Sequence, residues 1–327
     1  MNETLPNELS VAETSEICER AIHEVSKAVV GKTEVNKFIM AAFLCPGGHI
    51  LLEDFPGLGK TLLASSFAHI LGMQYKRIQF TPDLLPGDIT GGYVFDSNQN
   101  RFAVRKGPIF CNILLADEIN RASPKTQSAL LEAMQENQVT LEGETTPLPQ
   151  PFVVIATQNP VEYEGTFSLP EAQLDRFIIK LSLGYPLPEE ERDILLRRIE
   201  RKKDDVILDC VMSPEILAAM RRTVENVFVD PDIITYIITL VGKSRNYSPV
   251  AVGASPRGSL ALLKISRAWA AIHGRDYVIP DDIKIFCEPV LSHRIILNPN
   301  LWDIRDADKK TVREIRQSVQ VPFFKEP

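Results

Sequence analysis

Short apolar runs alternate along this chain with longer stretches whose apolar residues recur every three or four positions. The longer stretches have the pattern of helices buried along one face. The short runs have the pattern of strands covered on both faces, as in parallel sheets. Ile50-Leu51-Leu52, Ile113 to Ala116 and Phe152 to Thr157 are such runs, and Tyr75 to Phe80 and Phe177 to Leu181 read as further strands. Between them, LLASSFAHIL reads as a helix stopping at Gly72. Ser123-Pro124 opens another, with Ala129, Leu130, Ala133 and Met134 as its buried stripe, and Leu169 to Arg176 reads as a short one. Ahead of the first strand, Ser15 to Leu44 is helical through Ile17, Ala21, Ile22, Val25 and Val29, with a break at Val29-Val30-Gly31-Lys32.

After the fifth strand the pattern changes. Tyr185-Pro186-Leu187-Pro188 reads as a linker, and beyond it come helix starts only: Pro188-Glu189-Glu190, Ser213-Pro214-Glu215, Asp230-Pro231-Asp232, Ser255-Pro256-Arg257 and Pro280-Asp281-Asp282. GYVFD and RFAVR flank Ser97-Asn98-Gln99-Asn100 as a hairpin, and a second hairpin is centred on Glu142-Gly143-Glu144. The charged segment from Trp302 ends in Val321-Pro322-Phe323-Phe324, an extended strand or a docking tail. The expected division is a frayed terminus over 1–14, an α/β core over 15–184 with insertions near 86–107 and 137–149, and a helical part over 185–327.

Composition changes this picture little. A length of 327 residues fits two domains, and 44% hydrophobic with 24% charged residues is ordinary for a globular protein. A net charge of −7 without a basic tail makes nucleic acid an unlikely partner. Cys18, Cys45, Cys111, Cys210 and Cys287 are scattered and form no C-x-x-C, which fits reduced thiols in the cytoplasm. No secretory leader is visible, and no apolar run approaches the ~18 residues of a membrane span. Direct membrane insertion is therefore not expected.

The chemistry starts at HILLEDFPGLGKT. A strand, then Pro56-Gly57-Leu58-Gly59-Lys60-Thr61, then a helix opening at Leu62 is the context of a phosphate-binding loop. Small residues let backbone N–H groups face phosphates, Lys60 reaches the β- and γ-phosphates, and the Thr61 hydroxyl sits on Mg²⁺. The strict pattern asks for glycine where Asp54 stands, so that carboxylate must point away from the phosphates. At the tip of the apolar run CNILLADE, Asp117 is placed to hold Mg²⁺ and Glu118 to polarise water, although acids after an apolar run are also common in turns. Asn159 ends the next strand as a water-orienting amide or as part of an Asn-Pro turn. Arg176 is a surface charge or an arginine supplied to a neighbouring subunit's γ-phosphate. Arg257 lies in a first helical turn, where the helix dipole disfavours a cation. It bonds a phosphate, pairs with an acid such as Asp276, or is solvated. Val30-Gly31 is an adenine-facing backbone segment or an ordinary turn.

The ordered set resembles the AAA+ ATPases, and within them the MoxR family. The stretches GGHILLEDFPGLGKT, LLADEINRASPKTQSALLEAMQENQVTLEG, FVVIATQNPVEYEGTFSLPEAQLDRF and GASPRGSLALL carry the resemblance, which runs from about Ile17 to the C-terminus. It implies a five-stranded parallel αβα nucleotide-binding domain followed by a smaller all-helical lid domain, assembled as a ring, commonly a hexamer. It further implies ATP and Mg²⁺ as cofactors. Lys60 and Thr61 would form the Walker A pair, Asp117 and Glu118 the Walker B pair and Asn159 sensor 1. Arg176 would be the trans-acting finger, Arg257 sensor 2 and Val30-Gly31 the adenine pocket. Family members are thought to remodel partner proteins or help insert cofactors, often on clients with a von Willebrand factor A domain.

Three rival functions differ in class. A chelatase-type subunit that drives metal insertion is separable from protein remodelling only through the resemblance. A nucleic-acid motor is disfavoured by the acidic charge and by the absence of a basic, aromatic-rich hairpin. A nucleotide-gated binding module that hardly turns over is disfavoured by Glu118.

Overall fold

The structure is a computed structural model, and it describes residues 9–96, 100–141, 143–160 and 166–322. Helix α1 (Val11–Ala28) opens with a capping box: Ser10 Oγ accepts the Glu13 N–H, and the Glu13 carboxylate accepts the Ser10 N–H. This corrects the expected frayed terminus, since 11–14 are helical, Thr14 is fully buried and Thr223 Oγ1 donates to Leu9 O at 2.6 Å. Residues 1–8 lie outside the described residues. Helix α2 (Thr33–Leu44) follows the break at Gly31, whose φ of +75° suits glycine.

The α/β part then runs β1 (Ile50–Glu53), α3 (Lys60–Ile70), β2 (Tyr75–Gln79), α4 (Pro86–Thr90), β3 (Gly91–Asp96), β4 (Arg101–Lys106), β5 (Ile113–Asp117), α5 (Pro124–Glu136), β6 (Gln138–Leu141), β7 (Glu144–Pro147), β8 (Val153–Gln158), α6 (Glu171–Leu174) and β9 (Ile179–Leu181). One five-stranded sheet has the order β2-β5-β8-β1-β9, and every neighbouring pair in it is parallel. All five C-terminal strand ends therefore point to the same edge. β3/β4 and β6/β7 are separate antiparallel hairpins, joined by the Tyr93 hydroxyl donating to Glu144 at 2.9 Å. Of the expected hairpin turns, residues 97–99 and 142 lie outside the described residues.

The remainder is α7 (Pro188–Arg201), α8 (Pro214–Glu225), α9 (Pro231–Arg245), β10 (Val250–Val252), α10 (Pro256–Ile272), α11 (Pro280–Leu291), β11 (Ile296–Leu297) and α12 (Ala307–Ser318). The first five of these helices, α7 to α11, start at proline, where the missing N–H is no loss. The side chains of Ser213, Asp230 and Ser255 cap three of them. The lid is helical apart from the short antiparallel pair β10/β11. Helix α12 was not anticipated in the charged segment from Trp302: its thin stripe of Ala307, Thr311, Val312 and Ile315 is buried under an otherwise charged sequence. Phe323 and Phe324 lie outside the described residues.

Alternation along the strands divides the core. Leu51, Leu114, Ala116, Val154 and Ala156 pack with α5 on one face. Ile50, Leu52, Ile113, Leu115, Val153 and Ile155 pack with α1 to α3 on the other, in a cluster that continues unbroken into α8 to α12. Phe38 bridges the two parts, with ring centroids 5.2 Å from Trp269 and 5.1 Å from Phe286. All five cysteines are free, and burial raises the thiol pKa of Cys18, Cys45, Cys111 and Cys287. Among the described residues, no helix is long and apolar enough to cross a membrane.

Candidate functional site

The loop between β1 and α3 turns at Gly57 and Gly59, with φ of +82° and +83°, a region that L side chains adopt only with strain. It delivers Lys60 and Thr61 to the first turn of α3. Lys60 is nearly buried, its ammonium donates to the Asp54 carbonyl at 2.8 Å, and desolvation lowers its pKa against the opposing pull of Asp54, Asp117 and Glu118. The Asp54 side chain faces away from the loop. It is 4% exposed and accepts hydrogen bonds from Ser182 Oγ, Leu183 N–H and Gly184 N–H at 2.6, 2.6 and 3.1 Å.

Beside the loop, β5 ends in the two acids. Asp117 accepts from Thr157 Oγ1 at 2.6 Å and from Arg77 at 2.7 Å. Glu118 accepts from Gln79 Nε2 at 2.7 Å and from Arg121 at 3.0 Å, and its own N–H donates to Thr157 Oγ1 at 2.8 Å. Its φ of +56° is rare for a non-glycine residue, a strain of the kind concentrated at functional sites. Asn159 follows β8 and is 7% exposed.

These parts enclose a cavity of about 270 Å³ lined by Pro56, Gly57, Gly59, Lys60 and Thr61, by Asp117, Glu118 and Asn159, and by Arg77 and Gln79. The residues fit a nucleotide polyphosphate: open glycine backbone, a cation parked on a carbonyl, and acids at the strand tips. No group of three or more metal-ligating side chains occurs among the described residues. Leu58, Leu62, Val30 and Gly31 do not line this cavity, and Leu62 is 41% exposed. Gly31 instead packs under the Glu190 side chain, and the adjacent Lys32 donates to Tyr185 O at 3.0 Å.

Arg176 and Arg257 are together, but elsewhere. Both line a cavity of about 300 Å³ with His49, Gln135, Asp175, Ile178, Lys264 and Arg294. Arg176 and Arg257 both donate to Gln135 Oε1, the latter at 3.5 Å. Asp175 anchors their surroundings, accepting from Arg294 at 2.7 Å and from the α10 cap Ser255 at 2.8 Å. Burial, followed by the nearby Arg257, lowers the Arg176 pKa, and Arg176 Nε is buried without a hydrogen-bond partner. Arg257 therefore meets Gln135 and another arginine, where the expectation included Asp276 as a partner. His49 precedes β1 and Arg176 precedes β9, whereas the loop follows β1. The two cavities thus lie at opposite ends of the strands of a parallel sheet, of which the four residues of β1 span roughly 13 Å.

Two residues of the first cavity, Arg77 and Gln79, and two that hold its acids, Thr157 and Arg121, escaped the sequence reading. Thr157 had a signal: it is the one polar residue in FVVIAT, and it is fully buried. Arg77 and Gln79 alternate along β2 and point at the acids only because β2 pairs in register with β5, Gln79 opposite Asp117. Arg121 reaches Glu118 through a turn of 3₁₀ helix.

The family model described as the ATPase family associated with various cellular activities matches residues 49–179, and a model for the AAA lid domain matches residues 242–315. The chain is 48% identical over 303 residues to YeaC, an uncharacterised protein of Bacillus subtilis (strain 168), covering 93% of this chain and 94% of that one. It is 41% identical over 313 residues to the chaperone MoxR1 of Mycobacterium tuberculosis, covering 93% and 82%. A crystal structure from Cytophaga hutchinsonii, of a protein named for an expected ATPase activity, superimposes with a TM-score of 0.88 at 38% identity over 96% of this chain and 97% of that one. The chain belongs to the MoxR family of AAA+ ATPases.

Proposed function

We propose that this ATPase completes its active site between subunits and couples hydrolysis to remodelling of a protein client. The observation that carries the reading is the separation of Arg176 and Arg257 from the phosphate-loop cavity of their own chain. Backbone N–H groups at Gly57 to Lys60, with the Lys60 ammonium, would hold the β- and γ-phosphates. Thr61 and Asp117 would hold Mg²⁺, which when bound neutralises charge on the phosphates. Glu118 would orient and polarise water, with Asn159 on its other side, and Val30-Gly31 would abut the adenine. Arg176 and Arg257 of the next subunit would meet the charge that develops at the γ-phosphate.

Residues 15–184 then act as the ATPase core and 185–327 as the lid. A ring, with six subunits as the family resemblance implies, brings one chain's arginine cavity to its neighbour's phosphate loop. The chaperone name of the Mycobacterium tuberculosis relative supports a protein client. The resemblance further suggests one with a von Willebrand factor A domain, met in the cytoplasm.

The test is the steady-state ATPase rate per subunit across a wide range of protein concentration with Mg²⁺, read beside solution mass. A rate that climbs with assembly and saturates is expected. A constant, nonzero rate from a chain shown to be monomeric would overturn completion between subunits.

A further inference from the structure

We infer that Asp54 is a positioning residue that couples occupancy of the phosphate loop to the linker between β9 and α7. This rests on the phosphate-loop reading above. Asp54 does three things with three different groups. Its carboxylate takes Ser182 Oγ, Leu183 N–H and Gly184 N–H, the first three residues after β9. Its carbonyl takes the Lys60 ammonium at 2.8 Å. Its N–H donates at 3.2 Å to Gln158 O, next to Asn159. One residue therefore touches the linker, the phosphate-binding cation and the strand that carries the amide.

The chemistry requires a carboxylate. Three donors converge on one side chain, and only an ionised carboxylate accepts through both oxygens and donates nothing. Glycine, which the strict loop pattern asks for, would leave the Leu183 N–H buried without a partner. Neighbouring contacts run the same way. Phe55 lies 6.0 Å from the Tyr185 ring, and Lys32 holds the Tyr185 carbonyl. One residue upstream, Glu53 accepts from Lys180 at 3.1 Å, and Lys180 also reaches Asp308 of α12 at 3.2 Å. A bound phosphate competes with the Asp54 carbonyl for Lys60. Releasing that carbonyl lets the peptide of Asp54 turn, and with it the side chain that holds the linker.

The test uses the full chain with Asp54→Gly, Asp54→Asn and Ser182→Ala. Three quantities are read: the Kd of a fluorescent ATP analogue, kcat with KM, and hydrogen exchange of the 182–187 amides with and without a non-hydrolysable ATP analogue. In the wild type, the analogue is expected to change protection at Leu183 and Gly184. In Asp54→Gly that response is lost and kcat falls about tenfold or more, while Kd stays within about threefold, since lid and hinge steps set kcat in many enzymes. Asp54→Asn falls between, and Ser182→Ala lowers kcat about two- to threefold in the same direction. Should Asp54→Gly fail to fold, Ser182→Ala decides. Unchanged kcat in every folded variant, or a loss of Kd equal to the loss of kcat, would overturn the coupling. A wild-type chain that does not bind the analogue would instead overturn the phosphate-loop reading beneath it.

Discussion

The two cavities of this molecule handle charge in opposite ways. Around the phosphate loop, Lys60 and Arg77 face Asp117 and Glu118, and the acids are held by Arg77, Gln79, Arg121 and Thr157. At the other end of the strands, Arg176, Arg257, Lys264 and Arg294 share a cavity with one carboxylate, Asp175, which Arg294 and Ser255 already occupy. The first cavity is electrostatically satisfied and the second is not. A like-charge cluster with a desolvated guanidinium is stabilised by an anion from outside. The charged phosphates of a neighbour's nucleotide have that chemistry. On the proposed function, the contrast means that the chain would carry both halves of one active site, facing apart.

The largest effect should come from separating those halves. Arg176→Ala and Glu118→Gln should each lower kcat by about a thousandfold while leaving ATP binding within a few-fold. Mixing the two inactive variants should restore part of the activity. A site built from Glu118 of one chain and Arg176 of its neighbour is intact in a mixed assembly. No recovery in a confirmed mixed assembly would break the comparison, because it would place both residues in one site of one chain.

The next effect tests the floor of the arginine cavity. His49 is fully buried: Val154 N–H donates to its Nδ1 at 3.0 Å, and its Nε2 lies 3.1 Å from Met134 O, which makes it the donor there. Burial holds its pKa down at about 4, against an ordinary 6.5. The unfolded chain therefore binds a proton that the folded chain refuses. The stability this neutral ring contributes is complete above pH 6.5 and is lost as pH falls toward 4. The expected loss from this group is roughly 2 kcal/mol between pH 7 and pH 5. His293 is depressed by burial too, so it adds in the same direction. A flat melting temperature between those pH values would show that protonated imidazole is tolerated beneath the arginines.

How much of this was legible depended on whether the residues that act are neighbours in sequence. The phosphate loop, the paired acids and five proline-started helices are local patterns, and the structure keeps each where the pattern put it. The outward turn of Asp54 followed from its misfit to a glycine position, but its partners, 128 to 130 residues away, could not be read without the β1/β9 pairing. Gln79 and Arg77 looked like ordinary polar positions of a strand, and only parallel register aims them at the acids. Helix α12 was missed because charge dominates its composition while four residues bury it. Arg176 and Arg257 were both singled out, yet nothing in the 80 intervening positions signals that they share Gln135.

A smaller effect ranks the two arginines. Arg257 is exposed at the start of α10 and reaches Gln135 at 3.5 Å, whereas Arg176 is half-buried and has an unpaired Nε. The desolvated cation interacts more strongly with a developing charge than the solvated one. Arg257→Ala should therefore lower kcat by roughly tenfold, well short of the Arg176 loss. Equal losses in the two variants would show that the cavity acts as a single clamp.

The smallest expected effect lies in the satisfied cavity and tests whether its satisfaction restrains the reaction. Gln79 Nε2 donates to Glu118 Oε2 at 2.7 Å, so the oxygen that would polarise water is held by a neutral amide of its own chain. A hydrogen bond of this kind is worth about 1 kcal/mol, enough for a few-fold change in rate and no more. Gln79→Ala should raise the basal ATPase rate about two- to threefold, because Glu118 is then freer to turn toward the nucleotide, while Arg121 still holds it near the cavity. The measurement is kcat at saturating ATP without client, beside the Kd of an ATP analogue, which should stay unchanged. A fall in kcat would mean that Gln79 aims Glu118 productively. The balanced charges of the phosphate cavity would then be an assembled catalytic geometry, and restraint would have to come entirely from the distance between the two halves of the site.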